Sequence, residues 1–258
     1  MGQVHKIDTQ GLLKLREQLR LWYRQYPGCL LFQEELTRVT QLLSDAFGYH
    51  AVQMSSFWSE DILAGSRIPH KLIVEPDQSV LASHPHNKIC ARFDSLPIRS
   101  DGVDLVVLPH TLEFDPDPHE VLREAERILI PEGHLIIIGF NRASLWGVCQ
   151  LAMGWNKSPP WCGQFIGLPR IKDWLALLGF SVKQTEIFFY RPPFKQVGLL
   201  NKLRFMERLG ARFGAMFGAG YVLLAKKKVV TLTPLKPRWL SKPSLIAPPV
   251  AGGFKRVG

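Results

Sequence analysis

The chain has 258 residues and an ordinary apolar content of 46%, enough for one large α/β domain with additions. No apolar run reaches the ~18 residues needed to span a bilayer, and the start, MGQVHKIDTQ, lacks the apolar stretch of a secretory signal. Of the net charge of +10, eight Lys or Arg and no acid fall between Lys226 and Gly258, which leaves only +2 for the residues before them.

Leu12, Leu13, Leu15, Leu19 and Trp22 recur at helical spacing, with Lys14, Arg16, Arg20 and Arg24 assigned to the wet side. Pro27-Gly28 ends that helix. A second helical pattern runs from about Leu31 to Phe47, with Gly48 as its expected C′ residue. These two helices, residues 1–48, suit either a cap over a sheet or packing against its edge. The α/β domain is expected over residues 49–228. Ala51-Val52-Gln53-Met54 is a weak first strand, Lys71 to Val74 a better second, and Cys90 to Phe93 the expected third.

The most informative stretch is Asp101 to Phe140, DGVDLVVLPHTLEFDPDPHEVLREAERILIPEGHLIIIGF. Val103 to Leu108 is apolar and β-branched, as a strand buried on both faces should be. Asp117-Pro118-x-Glu120 offers an N-cap acceptor, a proline at N1 and an acid at N3. Val121, Leu122, Ala125, Ile128 and Leu129 then follow the helical period, and Pro131-Glu132-Gly133 breaks it before His134 to Gly139, a second apolar run. Strand, helix and strand in this order predict a right-handed crossover in a parallel sheet.

Asn141 to Pro160 reads as a loop or lid around a short helix, Leu145 to Met153. Leu168 to Leu178 is a further helix with Gly179 at its end, Phe180 to Phe189 a long strand, Lys202 to Phe213 helical, and Gly220 to Ala225 a last strand. Residues 229–258 are basic, proline-rich and aperiodic, and are read as a disordered tail. The sum is an α/β fold: an open, doubly wound, mostly parallel seven-stranded sheet with N-terminal helices and a closing hairpin-like pair.

Cys29, Cys90, Cys149 and Cys162 form no C-x-x-C pair, which suits buried thiols in a reduced cytoplasm. His84-Pro85-His86 has no carboxylate or thiolate set beside it and is read as loop rather than metal site. Asp104 is assigned to register or capping at the start of its strand. The aromatics Trp146, Trp155, Trp161 and Phe165 suit an acceptor pocket or packing beneath a lid.

Residues 101–140, together with Asp94-Ser95-Leu96-Pro97 before them and the internal Arg127-x-Leu129-x-Pro131-x-Gly133 element, resemble the region around the fourth and fifth strands of class I S-adenosylmethionine-dependent methyltransferases, methyltransferase type 11 group. The resemblance extends over about Ala51 to Lys227 and includes the helix, Gly179-Phe180 and strand at Trp174–Val182. It implies a Rossmann-like methyltransferase fold and S-adenosylmethionine as cofactor. In such enzymes a glycine-rich loop follows the first strand; here Met54, Ser55 and Ser56 stand in that place, followed by Phe57 and Trp58. The ribose-holding acid falls on Glu75, with Asp77 beside it. The adenine contact falls on Asp94 and the Ser95 and Leu96 backbone. Pro109 and His110 follow the fourth strand, where the reactive methyl lies; His110 is either a general base or a polar turn residue lining the cleft, and Glu113 has a similar standing.

The resemblance therefore implies methyl transfer to an acceptor, small or macromolecular, by in-line displacement. The missing glycines keep open a catalytically idle scaffold or ligand-binding protein with the same fold. A nicotinamide-dependent dehydrogenase is disfavoured because no G-x-G-x-x-G follows a strand. Amino-directed DNA methylation is disfavoured because Leu108-Pro109-His110-Thr111 lacks the Asn/Asp-Pro-Pro-aromatic element. The basic tail suits contact with nucleic acid or another anionic partner, or simple solubilisation, without any nucleic-acid-binding motif to decide.

Overall fold

The computed structural model describes residues 9–55, 62–77, 87–153, 159–193, 210 and 217–229. Seven strands form one sheet: β1 (His50–Met54), β2 (His70–Glu75), β3 (Asn87–Cys90), β4 (Val103–Pro109), β5 (Leu129–Phe140), β6 (Phe180–Phe188) and β7 (Gly220–Lys227). Their order across the sheet is β3-β2-β1-β4-β5-β7-β6. The first five are parallel and β7 runs antiparallel to both β5 and β6. The sheet is thus mostly parallel, as its apolar, non-alternating central strands require.

The helices are α1 (Thr9–Tyr23), α2 (Gly28–Ser44), α3 (Pro118–Ile128), α4 (Leu145–Met153) and α5 (Leu168–Leu177), with a short 3₁₀ turn at Ile62–Gly65. They cover both faces. Leu19, Tyr23, Leu31, Val39 and Leu43 of α1 and α2 pack on one face against Leu105, Val107, Ile136 and Ile138, joined there by Trp146 of α4. Val121, Leu122, Ala125 and Ile128 of α3 and Ile171 and Leu175 of α5 pack on the other, against Val106, Leu108, Leu135 and Ile137. Adjacent residues of β4 and β5 therefore feed opposite layers, as the strand period of two dictates.

The crossover forms for the reasons its sequence announces. The Asp117 carboxylate caps α3 by accepting from the backbone N–H groups of His119 and Glu120, both at 3.2 Å, with Pro118 in the first turn. Gly179, with φ +79°, closes α5 in the left-handed conformation that glycine adopts without penalty.

Local structure departs from the sequence reading in several places. Helix α2 stops at Ser44, so Gly48 is no C′ residue; instead a side chain there would collide with Asp104. Asp104 Oδ2 accepts from the N–H groups of Tyr49 and His50, both at 2.9 Å, which anchors the entry to β1. The third strand is Asn87–Cys90 rather than Cys90–Phe93. It is a mostly exposed edge strand, so its position follows backbone pairing with β2 (Leu72 opposite Asn87, Glu75 opposite Cys90) and not apolar pattern. Strand β5 begins at Leu129, five residues before the apolar run, because an irregularity between Val103 and Leu105 lets Leu129 pair with Val103 ahead of the regular register from His134.

Arg16 is the largest departure: it is buried, 4% exposed, where the helical wheel assigned it to water, whereas Lys14 and Arg24 are exposed as assigned. None of the four cysteines is fully buried, and Cys90 is exposed. Among the described residues no helix is long and apolar enough to cross a membrane and no His, Cys, Asp or Glu cluster would hold a metal ion. Ser56, Phe57, Trp58, His84, His86, Trp155, most of the expected Lys202–Phe213 helix and the basic tail lie outside the described residues.

Candidate active site

In an open parallel sheet the loops at the carboxyl ends of the strands build the ligand site, where the order reverses. Here β1 and β4 are neighbours in the sheet but distant in the chain, with β2 and β3 on one side and β5 on the other. Two non-glycine residues with positive φ stand directly at this point: Ser55 after β1, at +88°, and His110 after β4, at +49°. Each costs roughly 1–2 kcal/mol relative to an ordinary backbone conformation, and such strain gathers at ligand sites. Thr111 Oγ1 donates to the Met54 carbonyl at 2.6 Å and ties the two strand ends together.

Ser55 is fully buried; its N–H donates to the Val74 carbonyl at 2.9 Å, while its Oγ has no hydrogen-bond partner. The Gln53 Oε1 atom, one pleat earlier, is likewise buried without a partner. A buried polar atom left unpaired costs about 1–3 kcal/mol, so two at the carboxyl end of β1 and just beyond it mark a place where a polar ligand fits.

Glu75, at the end of β2, is 1% exposed. Its Oε1 accepts from Arg16 Nη1 of α1 at 2.7 Å, and the Arg16 guanidinium lies over the Phe93 ring, 4.6 Å from its centre. One helical turn further along α1, burial pushes the Arg20 guanidinium below its ordinary pKa while Glu75 and Asp77 oppose that shift. Beyond β3, Asp94 takes both a 3.0 Å hydrogen bond from Arg92 Nε and a second contact from the same guanidinium. The Leu96 N–H donates to Glu124 Oε1 at 2.6 Å, so this backbone donor is engaged within the protein.

The second half of the site surrounds His110, which is fully buried. Its Nδ1 donates to Glu113 Oε2 at 3.0 Å; its Nε2 faces Glu35 Oε1 of α2 at 3.0 Å and the Tyr23 hydroxyl of α1 at 2.7 Å. Tyr23 also donates to Glu35 Oε1 at 3.4 Å. Glu113 Oε1 accepts from the Phe140 N–H, and a side chain at Gly139 would strike both Glu113 and the Tyr221 hydroxyl, so the close approach needs glycine. Burial alone would discharge the imidazole, but two glutamates with hydrogen bonds to its nitrogens outweigh it and push its pKa up to about 9. Burial holds Glu35 above the usual carboxylate range against the pull of His110, and its Oε2 has no hydrogen-bond partner.

Aromatic rings pack around this cluster. The Phe140 ring lies 4.3 Å from His110 and stacks on Phe165 at 4.9 Å. Trp22 meets Trp146 edge-on at 5.8 Å, and Trp146 Nε1 donates to the Arg191 carbonyl at 2.8 Å. Trp146, Trp161 and Phe165 pack against one another beneath α1.

With this geometry in hand, comparison with known proteins is direct. The pattern of the family described as "Methyltransferase domain" matches residues 71–137, from β2 through most of β5. The uncharacterized protein YafS of Escherichia coli (strain K12) is 30% identical over 213 residues, covering 81% of this chain and 82% of YafS. The chain belongs to the class I S-adenosylmethionine-dependent methyltransferases, in the type 11 group. Two solved structures of S-adenosylmethionine-dependent methyltransferases share the fold. That from Archaeoglobus fulgidus has TM-score 0.54 and 16% identity, covering 76% of this chain and 94% of its own. That from Mesorhizobium loti has TM-score 0.53 and 13% identity, covering 74% and 96%.

S-adenosylmethionine is the cofactor of this family, and the residues at the strand ends fit it. The left-handed Ser55 supplies the backbone conformation that a glycine otherwise provides, and its orphan hydroxyl points to a polar ligand. Glu75 presents a carboxylate on the adjacent strand end, in register through Met54 opposite Val74. The structure brings Met54, Ser55, Glu75, Asp77, Pro109 and His110 to one end of the sheet. Asp94, Ser95 and Leu96 lie beyond the edge strand β3 and are tied to Arg92 and Glu124. Sequence reasoning missed Arg16, Tyr23 and Glu35. A charged Glu35 within the otherwise apolar face of α2 was a visible signal, since acids on a buried stripe are found paired.

Proposed function

We propose that the protein is a methyltransferase that moves a methyl group to an acceptor held beneath α1 and α2. The observation that carries this is the pairing of a strained, buried Ser55 bearing an unpartnered hydroxyl with the buried Glu75 carboxylate on the next strand end. Bound S-adenosylmethionine supplies an electrophilic methyl on a sulfonium. Glu75, with Asp77 beside it, accepts from the ribose hydroxyls; Met54, Ser55 and Pro109 form the floor; Asp94, Ser95 and Leu96 flank the adenine. In-line displacement asks the protein chiefly for position and exclusion of water, and the aromatic rings exclude water.

His110 is the catalytic candidate at the methyl end. With its pKa up at about 9 it is an imidazolium at neutral pH and has no free lone pair while Tyr23 and Glu35 cover Nε2. Its role in this arrangement is to hold Glu35 and Glu113 in place by charge, and it becomes a base only when those partners withdraw.

A second reading, an idle ligand-binding or scaffold protein, is favoured by the Arg16 guanidinium that holds Glu75. Calorimetry with S-adenosylmethionine and its demethylated product separates the two. Micromolar binding that weakens at least tenfold in Glu75→Ala, ~1.4 kcal/mol, is expected for the methyltransferase. No heat with millimolar ligand would leave the scaffold.

A further inference from the structure

Glu75 is asked to do two things with one carboxylate. For the cofactor reading it must accept from two ribose hydroxyls; in this structure its Oε1 is held by Arg16 at 2.7 Å, with both side chains almost fully excluded from solvent. The guanidinium is further seated on the Phe93 ring, and Asp115 feels its charge. We propose that Arg16 is a built-in competitor for the ribose subsite: it neutralises Glu75 in the ligand-free protein and gives the carboxylate up when the cofactor binds. This inference rests on the methyltransferase reading above.

The exchange is chemically balanced. No covalent bond changes; the two N–H···O contacts available between a guanidinium and a carboxylate are replaced by two O–H···O contacts from a vicinal diol, and the guanidinium returns to water. The energetics suit a replaceable partner. Desolvating an isolated ion pair cancels much of its Coulomb gain, so the pair adds little net stability, whereas an unpaired buried Glu75 would be costly. Arg16 therefore satisfies the Glu75 carboxylate without locking it. Leu19 and Tyr23, both buried, anchor the following turns of α1, so the helix can stay seated while the Arg16 side chain swings out. Arg20, on the same side of the helix and within the field of Glu75 and Asp77, keeps the strand end electrically balanced during the swap.

The geometry also couples the two halves of the site. Tyr23 lies seven residues, two helical turns, beyond Arg16, so one face of α1 reaches both Glu75 and the His110–Glu35 pair. A ligand that dislodges Arg16 acts on the same helix that covers His110 Nε2.

The test is a double-mutant cycle read by calorimetry with the demethylated cofactor on the full chain: wild type, Arg16→Met, Glu75→Gln and the double variant. Methionine keeps the apolar stem over Phe93 and removes the competing charge. Arg16→Met is expected to bind about tenfold tighter than wild type and Glu75→Gln at least tenfold weaker. In the double variant the Arg16→Met gain should vanish, because the competition is for Glu75. Should Arg16→Met fail to fold, Arg16→Lys, which keeps a charge but loses the planar fork, is measured in its place and is expected to bind tighter than wild type. Unchanged or weaker binding in the Arg16 variants, with wild type and Glu75→Gln behaving as stated, overturns the competitor and leaves the methyltransferase reading intact. No heat in any of the folded proteins overturns both.

Discussion

The crossover from Val103 to Phe140 and the pair of N-terminal helices enter the same interior on different terms. The crossover buries Val106, Leu108, Val121, Leu122, Leu135 and Ile137, apolar side chains that share one layer with each other and with α5 and β7. Helices α1 and α2 bury Leu19, Leu31 and Leu43 in the same way, but they also carry Arg16, Tyr23 and Glu35 inward to meet Glu75 and His110. Apolar burial is non-directional and tolerates any well-shaped neighbour, so it builds a scaffold. Buried charge is costly unless a specific partner meets it, so it marks where a site has been assembled.

The largest expected effect tests the scaffold half. Leu122→Ala removes a fully buried α3 side chain from the core and should cost about 4 kcal/mol in urea unfolding. A loss below about 1 kcal/mol would mean that α3 is not the core element described.

Next comes the polar half. His110 faces Glu35 from α2, Tyr23 from α1, Glu113 in its own turn and the Phe140 ring from β5. Its pKa is higher in the folded protein, about 9, than its ordinary 6.5. A raised pKa means the folded state holds the proton more tightly, so its stabilisation is complete below about pH 6.5 and is lost as pH rises through about 9. Wild type should lose on the order of 3 kcal/mol across that window. The elevated pKa of Glu35 acts in the same direction. His110→Gln should flatten the slope; a slope that persists would assign it to other groups.

Glu113→Ala probes the same network with a smaller loss. It leaves the Phe140 N–H and His110 Nδ1 without their acceptor and should cost about 2 kcal/mol by thermal or chemical unfolding. At the bottom of the scale, Asp117→Ala removes the α3 cap, exposed and local, for about 1 kcal/mol. If Asp117→Ala proved more damaging than Glu113→Ala, the contrast between a forgiving scaffold and an exacting polar site would fail.

Much of the scaffold could be read directly from the chain because its determinants are local. Asp117-Pro118-x-Glu120, the apolar period of α3 and the run from His134 to Phe140 each specify structure within a few residues. The seven strands and the antiparallel closing pair follow from them. The misreadings came where local pattern is weak. Strand β3 is an edge whose place is decided by pairing with β2, and the early start of β5 depends on a register irregularity against β4.

The site was legible only in part. Glu75, Asp77 and His110 could be named because they follow strands, and strand ends are where ligands bind. What those side chains touch could not be named: Arg16 is 59 residues from Glu75, Glu35 is 75 from His110, and Tyr23 is 87 from it. The helical period of α1 puts Arg16 on the same face as Leu12 and Leu19, and only its charge made the position read as wet.

The sequence by itself determined the α/β order, the parallel crossover, the acids at the end of β2 and the histidine after β4, because period, caps and turns act over short distances. Tertiary structure alone decided that the helices carry charge into the sheet, that Glu75 meets Arg16, and that His110 lies between two glutamates that raise its pKa. These outcomes depend on desolvation and on partners brought within 3 Å by the fold, and neither is written in any single stretch of the chain.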